Sequence, residues 1–179
     1  APTTVAGLSD ATTLAAGGQH SCAQTPAGVQ CWGRGALGQL GDGTTASRFS
    51  PAAVPGIGPA ALPGAGASHT CVVQGTVQCW GDNIFGQLGD GTRTQRLTPV
   101  AVPGVSGATQ VVGGAWHTCA RVAGGAVQCW GANWSGQLGN GQSSGAQTAP
   151  VDVVGISGAT SLAAGSLHTC AVVGGQVKC

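Results

Sequence analysis

Four histidines and eight cysteines carry most of the reactive chemistry of this chain, and they recur together. His20, His69, His117 and His168 each stand two residues before a cysteine, once as His-Ser-Cys and three times as His-Thr-Cys. A second cysteine follows each, giving the pairs Cys22/Cys31, Cys71/Cys79, Cys119/Cys129 and Cys170/Cys179. One histidine and two thiolates could ligate zinc, but a structural zinc site takes four ligands and each repeat supplies three. A ring of imidazoles could act as ligands or bases. Paired cysteines on either side of a turn could form disulfides. An even count with one short-range pair per repeat fits that use and an oxidising compartment. The disulfide reading is preferred, with reduced thiols left as the alternative. The histidines then read as structural, each tying a strand end to a neighbouring unit through hydrogen bonds. No metal and no cofactor is expected.

The remaining polar residues form no catalytic set. There are five carboxylates, Asp10, Asp42, Asp82, Asp90 and Asp152, and none repeats as an acid/base pair. Ser21, Ser68 and Ser166 lie near histidines without a nucleophile elbow or a third member. No Gly-x-x-x-x-Gly-Lys phosphate loop occurs. Asp42, Asp90 and the matching Asn140 give one recurrent oxygen ligand per loop, against the 6–8 that calcium takes. They read as turn residues that accept hydrogen bonds from nearby backbone amides. The chain is therefore expected to be a non-enzyme.

What positions these residues is an internal repeat, the first feature to seek in any chain. Successive histidines are 49, 48 and 51 residues apart. Each unit runs from a proline-led alternating stretch (residues 2–8, 51–57, 99–105, 150–156), read as an outer or edge strand. A small apolar stretch follows (11–17, 108–114, 159–165, with a degraded copy at 59–66), read as a strand buried on both faces. Next come a short strand from the His-x-Cys, a turn, and a strand ending Val-Gln-Cys-Trp. The turns are Thr25-Pro26-Ala27-Gly28, Gln74-Gly75, Ala123-Gly124-Gly125 and Gly174-Gly175. Folded as hairpins, paired cysteines come opposite or nearly so, with Cβ atoms about 4.5–5.5 Å apart. Each bridge would contribute about 2–3 kcal/mol on a chain-entropy basis. Because 8, 7, 9 and 8 residues intervene, one register is not expected to serve every pair. No stretch has a helical period.

The fold class expected is all-β: β-propeller blades of four antiparallel strands, about four blades with the last incomplete. The units fall at about 2–50, 51–98, 99–149 and 150–179, one repeat domain over 1–179. The segment at 2–8 could pair with the last blade and seal a ring. Otherwise the blades form an arc, such as half of a larger ring. The stop at Cys179 is read as favouring a partial chain or a homodimer that completes the ring. Trp32, Trp80 and Trp130, each beside a cysteine, read as packing residues between blades.

The pattern A-x-x-L-A-A-G-x-x-H-T-C-A-V-x-G-G-x-V-x-C-W-G-x-N-x-x-G-Q-L-G-D-G-T covers nearly the whole chain. It resembles the repeats of the regulator of chromosome condensation family, and the cysteine-containing version is similar to that family's secreted bacterial branch. The resemblance implies a propeller, usually seven-bladed, which favours the arc, and a secreted or extracellular location. The family's namesake role, nucleotide exchange on the GTPase Ran with chromatin binding, finds no support in a chain with 11 charged residues and a net charge of +1. That balance argues against nucleic acid as a partner. No apolar run approaches the ~18 residues of a membrane span.

Residues that vary between repeats are the candidates for recognition, because loops on a rigid scaffold carry function. Phe85 and Trp134 are non-periodic aromatics in the loops after Trp-Gly, and Trp116 is unique to its repeat. Arg93 and Arg96 sit in a loop whose counterparts are read as lacking arginine. Aromatic residues and Arg are favoured interface anchors. The expectation is an extracellular, non-catalytic binding module that engages a protein through these loops. The alternatives are a carbohydrate-binding or adhesion module using Trp116 or Trp134 as a stacking platform, and an inhibitor of a secreted enzyme.

Overall fold

The structure is a computed structural model that describes residues 1–143 and 145–179. Among the described residues, fifteen strands form four separate antiparallel sheets. The first holds β1 (Thr13–Ala16), β2 (His20–Thr25), β3 (Gly28–Gly33) and β4 (Arg48–Ala53), in that order. The second holds β5 (Leu62–Ala65), β6 (His69–Gln74), β7 (Thr76–Gly81) and β8 (Arg96–Ala101). The third holds β9 (Gln110–Gly113), β10 (His117–Arg121), β11 (Val127–Ala132) and β12 (Ala146–Asp152). The fourth has three strands, β13 (Ala159–Ala164), β14 (Thr169–Val173) and β15 (Gln176–Lys178). The only helical element among the described residues is a 3₁₀ turn at Ala123–Gly125. Up-and-down four-stranded sheets set side by side are the blades of a β-propeller.

Each proline-led stretch becomes the outermost strand of the sheet before it, where proline's missing N–H costs no ladder bond. Pro51, Pro99 and Pro150 lie in β4, β8 and β12. Residues 2–8 depart from this pattern. They form no strand, they are mostly exposed, and no hydrogen bond joins them to β13–β15 among the described residues. The expected sealing strand is therefore not formed. The inner strands correct a second expectation. β1, β5, β9 and β13 are only partly buried, with Leu14 and Leu62 exposed. They line the open axis around which the sheets fan, so only their flanks are covered.

All four cysteine pairs are disulfides between β2 and β3 or their equivalents. Cys22 faces Cys31, Cys71 faces Cys79, and Cys119 faces Cys129 in register, with Cα atoms 4.0–4.1 Å apart. Cys170 and Cys179 continue the register set by Ala171 and Lys178, again with Cα atoms 4.1 Å apart. One register thus serves every pair, contrary to expectation. The turns absorb the unequal spacing: two residues after Thr25, Gly75 alone, five residues around the 3₁₀ turn, then Gly174-Gly175. Such bridges persist in an oxidising environment.

The core lies in the seams between sheets. Around the first seam pack Val29, Leu40 and Val54 of the first sheet with Val72 and Trp80 of the second. The next seam repeats this with Val77, Leu88, Val102, Ala120 and Trp130. These side chains are small, so the seams also rely on recurrent polar ties.

Candidate functional site

The register places two kinds of loop at one end of each of the first three sheets. His20 pairs with Gly33, His69 with Gly81 and His117 with Gly131. The turn before each of these histidines and the long loop after each Trp-Gly therefore share a face, while the β2–β3 type turns lie at the opposite end.

The histidines hold this face together across the seams. His20 Nε2 lies 2.8 Å from Thr70 Oγ1, His69 Nε2 2.9 Å from Thr118 Oγ1, and His117 Nε2 2.8 Å from Thr169 Oγ1. Thr70 and Thr118 donate their hydroxyl hydrogens to the carbonyls of Gln39 and Gln87, at 2.9 and 2.7 Å. A hydroxyl has one hydrogen, so it must accept from the imidazole. His20 and His69 therefore carry the proton on Nε2. Nδ1 of His20, His69 and His117 is buried without a partner, since the rings press on Gly17, Gly66 and Gly114. A Cβ on Gly66 or Gly114 would come within 2.0 Å of the ring Cε1. Burial lowers the pKa of His20 and His117 to about 4. For His69, burial and then the neighbouring imidazoles lower it to about 3. These rings are neutral at pH 7 and lack the exposure that a base or ligand needs. His168 is exposed at the last sheet.

Tryptophan supplies the second tie. Trp80 and Trp130 are fully buried, and each donates Nε1–H to the same glutamine carbonyl across the seam, at 2.9 Å. Trp32, with no sheet before it in this chain, is half-buried. Phe49 is uncovered on that side, whereas its counterpart Leu97 packs under the loop at Gly38.

The long loops are built from their own polar groups. Asn83 Nδ2 donates to Asp90 Oδ1 (3.1 Å) and the Thr94 carbonyl (3.0 Å), and its Oδ1 accepts from the Leu88 amide (3.0 Å). Asn133 does the same with Asn140, Gln142 and Leu138. Gln39, Gln87 and Gln137 each accept from the amide two residues before. Asp42, Asp90 and Asn140 take turn bonds from Thr44, Thr92 and Gln142, as the sequence indicated. Partial burial would raise the pKa of Asp42 and Asp90, but hydrogen bonds from these threonines and from Arg48 and Arg96 outweigh it and hold both carboxyls below their usual range.

Arg96 corrects one expectation. Arg48 is its counterpart in the first loop, and both guanidinium groups are engaged by the turn aspartate: Arg48 with Asp42, and Arg96 with Asp90 at 2.7 Å. Arg93 has no arginine counterpart, is exposed, and makes no side-chain bond among the described residues.

On this braced face the three non-repeating aromatics converge. Phe85 from the second sheet's loop meets Trp134 from the third sheet's loop, with ring centroids 4.7 Å apart at 88°. Trp116, in the β9–β10 turn, also meets Phe85, with centroids 5.8 Å apart at 74°. Edge-to-face pairs of this kind add about 0.5–1.5 kcal/mol beyond their burial. Trp116 and Trp134 remain 41% and 50% exposed, and Ile84, beside Phe85, is exposed as well. The sequence marked the aromatics but not their convergence. It also missed Asn83, Asn133 and the loop glutamines as braces, although their recurrence in Trp-Gly-x-Asn-x-x-Gly-Gln was the available signal.

The Regulator of chromosome condensation (RCC1) repeat profile matches residues 28–73, 74–121 and 124–172. The chain belongs to the regulator of chromosome condensation repeat family. Comparison with curated protein sequences gave no match. Among solved structures, yeast RCC1 (Prp20) bound to Kap60 is similar at a TM-score of 0.77 and 23% identity, over 90% of this chain and 39% of that one. Human WBSCR16 is similar at 0.79 and 23%, over 90% and 45%. The ectodomain of the Physcomitrella patens receptor kinase CR4 is similar at 0.58 and 20%, over 94% and 40%. The chain thus spans less than half the length of these proteins, and at these identities the likeness establishes the propeller fold.

Proposed function

We propose that this chain is a non-catalytic binding module that acts outside the cell and engages a protein partner through Phe85, Trp116 and Trp134. The observation that carries the reading is their convergence. Residues outside the repeat meet at one place, on loops fixed by hydrogen bonds, and two large aromatic side chains stay half-exposed. Rigid aromatic anchors lose little side-chain entropy on binding and dominate interface energetics. Arg93, in the same loop as Phe85, and Arg96, which opens β8 with its charge engaged by Asp90, are the proposed polar contributors. The four disulfides support a secreted setting. The yeast neighbour is a propeller solved with a bound protein, Kap60, which supports protein recognition as a use of the scaffold.

The test is a triple variant, Phe85→Ala, Trp116→Ala and Trp134→Ala, compared with the parent for capture of proteins from the source's extracellular and surface fraction. The expected result is an unchanged melting profile to within a few degrees and loss of a specific captured protein. Equal capture by parent and variant refutes the assignment, and a glycan bound in place of a protein redirects it.

A further inference from the structure

A buried asparagine braces the second sheet's long loop on both sides of Arg93. Asn83 is fully buried, and its Nδ2 donates to the carbonyl of Thr92 at 3.2 Å and to that of Thr94 at 3.0 Å. Its Oδ1 accepts from the Leu88 amide, which fixes the orientation of the amide group. Asp90 accepts from the amide and hydroxyl of Thr92 at 3.0 and 2.7 Å, and pairs with Arg96 beyond the loop. The Gly91 amide donates to the Thr148 carbonyl of the third sheet at 2.9 Å. Between these anchors Arg93 is left free. Its side chain is exposed and unbonded, and neither its N–H nor its C=O has a partner among the described residues.

The arrangement is particular to this loop. Thr45 and Ser143 stand where Arg93 stands, and Gly35 stands where Asn83 stands in the first loop. The second sheet has a packed neighbour on either side, so both seams beside the loop are complete. A serine protease attacks the carbonyl of a residue whose side chain fills its primary pocket, and in proteases specific for basic residues that pocket holds a carboxylate. Arg93 offers the side chain and both backbone groups for such an attack. A flexible loop in this position would be cut and released. Here the carbonyls before and after Arg93 are held from inside, and a loop already ordered loses little freedom on binding.

We propose that Thr92-Arg93-Thr94 is an inhibitory loop for a trypsin-like serine protease, with Arg93 in the primary pocket. When the protease serine adds to the Arg93 carbonyl, its Oγ–C bond forms and the Arg93–Thr94 C–N bond breaks. The serine's proton passes through the protease histidine to the Thr94 amine. Asn83, on the Thr94 carbonyl, and the Asp90–Arg96 pair keep that amine beside the ester. Its return expels the serine and remakes the peptide bond, and proximity lets this outrun attack by water. The proposal makes no use of Phe85, Trp116 or Trp134, so it can fail while that surface stands, and the reverse.

The test adds the oxidised 179-residue protein to trypsin and follows hydrolysis of a small arginine amide substrate. Competitive inhibition is expected, with the Arg93–Thr94 bond largely intact by mass spectrometry. Arg93→Ala should weaken inhibition about a hundredfold, the loss typical of a central interface anchor. Arg93→Leu, at an exposed position, should lose trypsin and gain chymotrypsin, whose pocket is an apolar slot. Asn83→Ala should be cut after Arg93 about tenfold faster than the parent, because the loop is no longer preorganised. Arg93→Leu carries the test alone if melting curves show that Asn83→Ala does not fold. Absence of inhibition, inhibition unchanged in Arg93→Ala, or rapid cleavage of the parent after Arg93 overturns the proposal.

Discussion

Acid should pull the sheets apart before it affects anything else. His20, His69 and His117 bridge the three seams in neutral form, and their Nδ1 atoms have no acceptor for a second proton. Burial lowers their pKa values to about 4, about 3 and about 4, against ~6.5 in the unfolded chain. The unfolded chain therefore takes up protons first as pH falls. Stability is full above pH ~6.5 and is lost between that value and the folded pKa values. At pH 5 each histidine forfeits about 2 kcal/mol, or about 6 kcal/mol for three. That is comparable to the whole stability of many domains, about 5–15 kcal/mol. Between pH 6 and 5 the slope approaches about 4 kcal/mol per pH unit, about 1.4 from each ring. The depressed carboxyls of Asp42 and Asp90 contribute stability that is present above their unfolded pKa near 4 and is lost only as pH falls below it, so they add little to the slope in this window. Urea unfolding followed by tryptophan fluorescence from pH 7.5 to 4.5 measures the slope. The variant His69→Gln keeps a donor towards Thr118 and should remove about one third of it. Stability that is flat across pH 7 to 5, or a slope unchanged in the variant, would refute the reasoning.

Other outcomes follow from the seams. Trp130→Ala should cost about 3–5 kcal/mol in chemical denaturation, whereas Trp32→Ala, at a half-buried position, should cost well under half as much. Gly89→Ala and Gly91→Ala impose similar backbone strain, since both glycines have positive φ, but only Gly89 abuts an indole and Gly91 has open space. Gly89→Ala should therefore be the more destabilising, and matched urea melts read the difference. Under mild reductant with an alkylating trap, the half-buried to exposed Cys170–Cys179 bridge should open first and the three buried bridges only on unfolding. Peptide mapping over time gives the order.

The blades were legible because the repeat is written in strongly constrained residues. A His-x-Cys, a turn and a Cys-Trp-Gly at a fixed period leave few alternatives to a hairpin copied along the chain. The register of the cysteines was not legible, since residue counts between them mix strand length with turn length. Only coordinates show that Gly75 alone turns one hairpin and five residues turn another. The histidines were read as ties between units from their recurrence, but the threonine each one bonds lies about 50 residues further on, and the glutamine carbonyl that threonine bonds lies about 30 residues back from it. No local pattern reports such a relay. The candidate surface was half legible. Phe85, Trp116 and Trp134 stood out as departures from the repeat, yet they belong to two sheets and three loops, and the fan of the blades brings them together. Arg96 shows the opposite error, because its ion pair with Asp90 recurs as Arg48 with Asp42 and so belongs to the repeat.

Site-directed photo-crosslinking tests the binding face most directly. A benzophenone side chain is placed at Trp116, at Trp134, or at Gly75 on the opposite end of the sheets, and each protein is irradiated in the source's extracellular fraction. The account predicts one shared crosslinked partner from positions 116 and 134, none from 75, and competition by the unlabelled parent but not by the triple alanine variant. Crosslinks of equal yield from both ends, or competition by the variant, would contradict it.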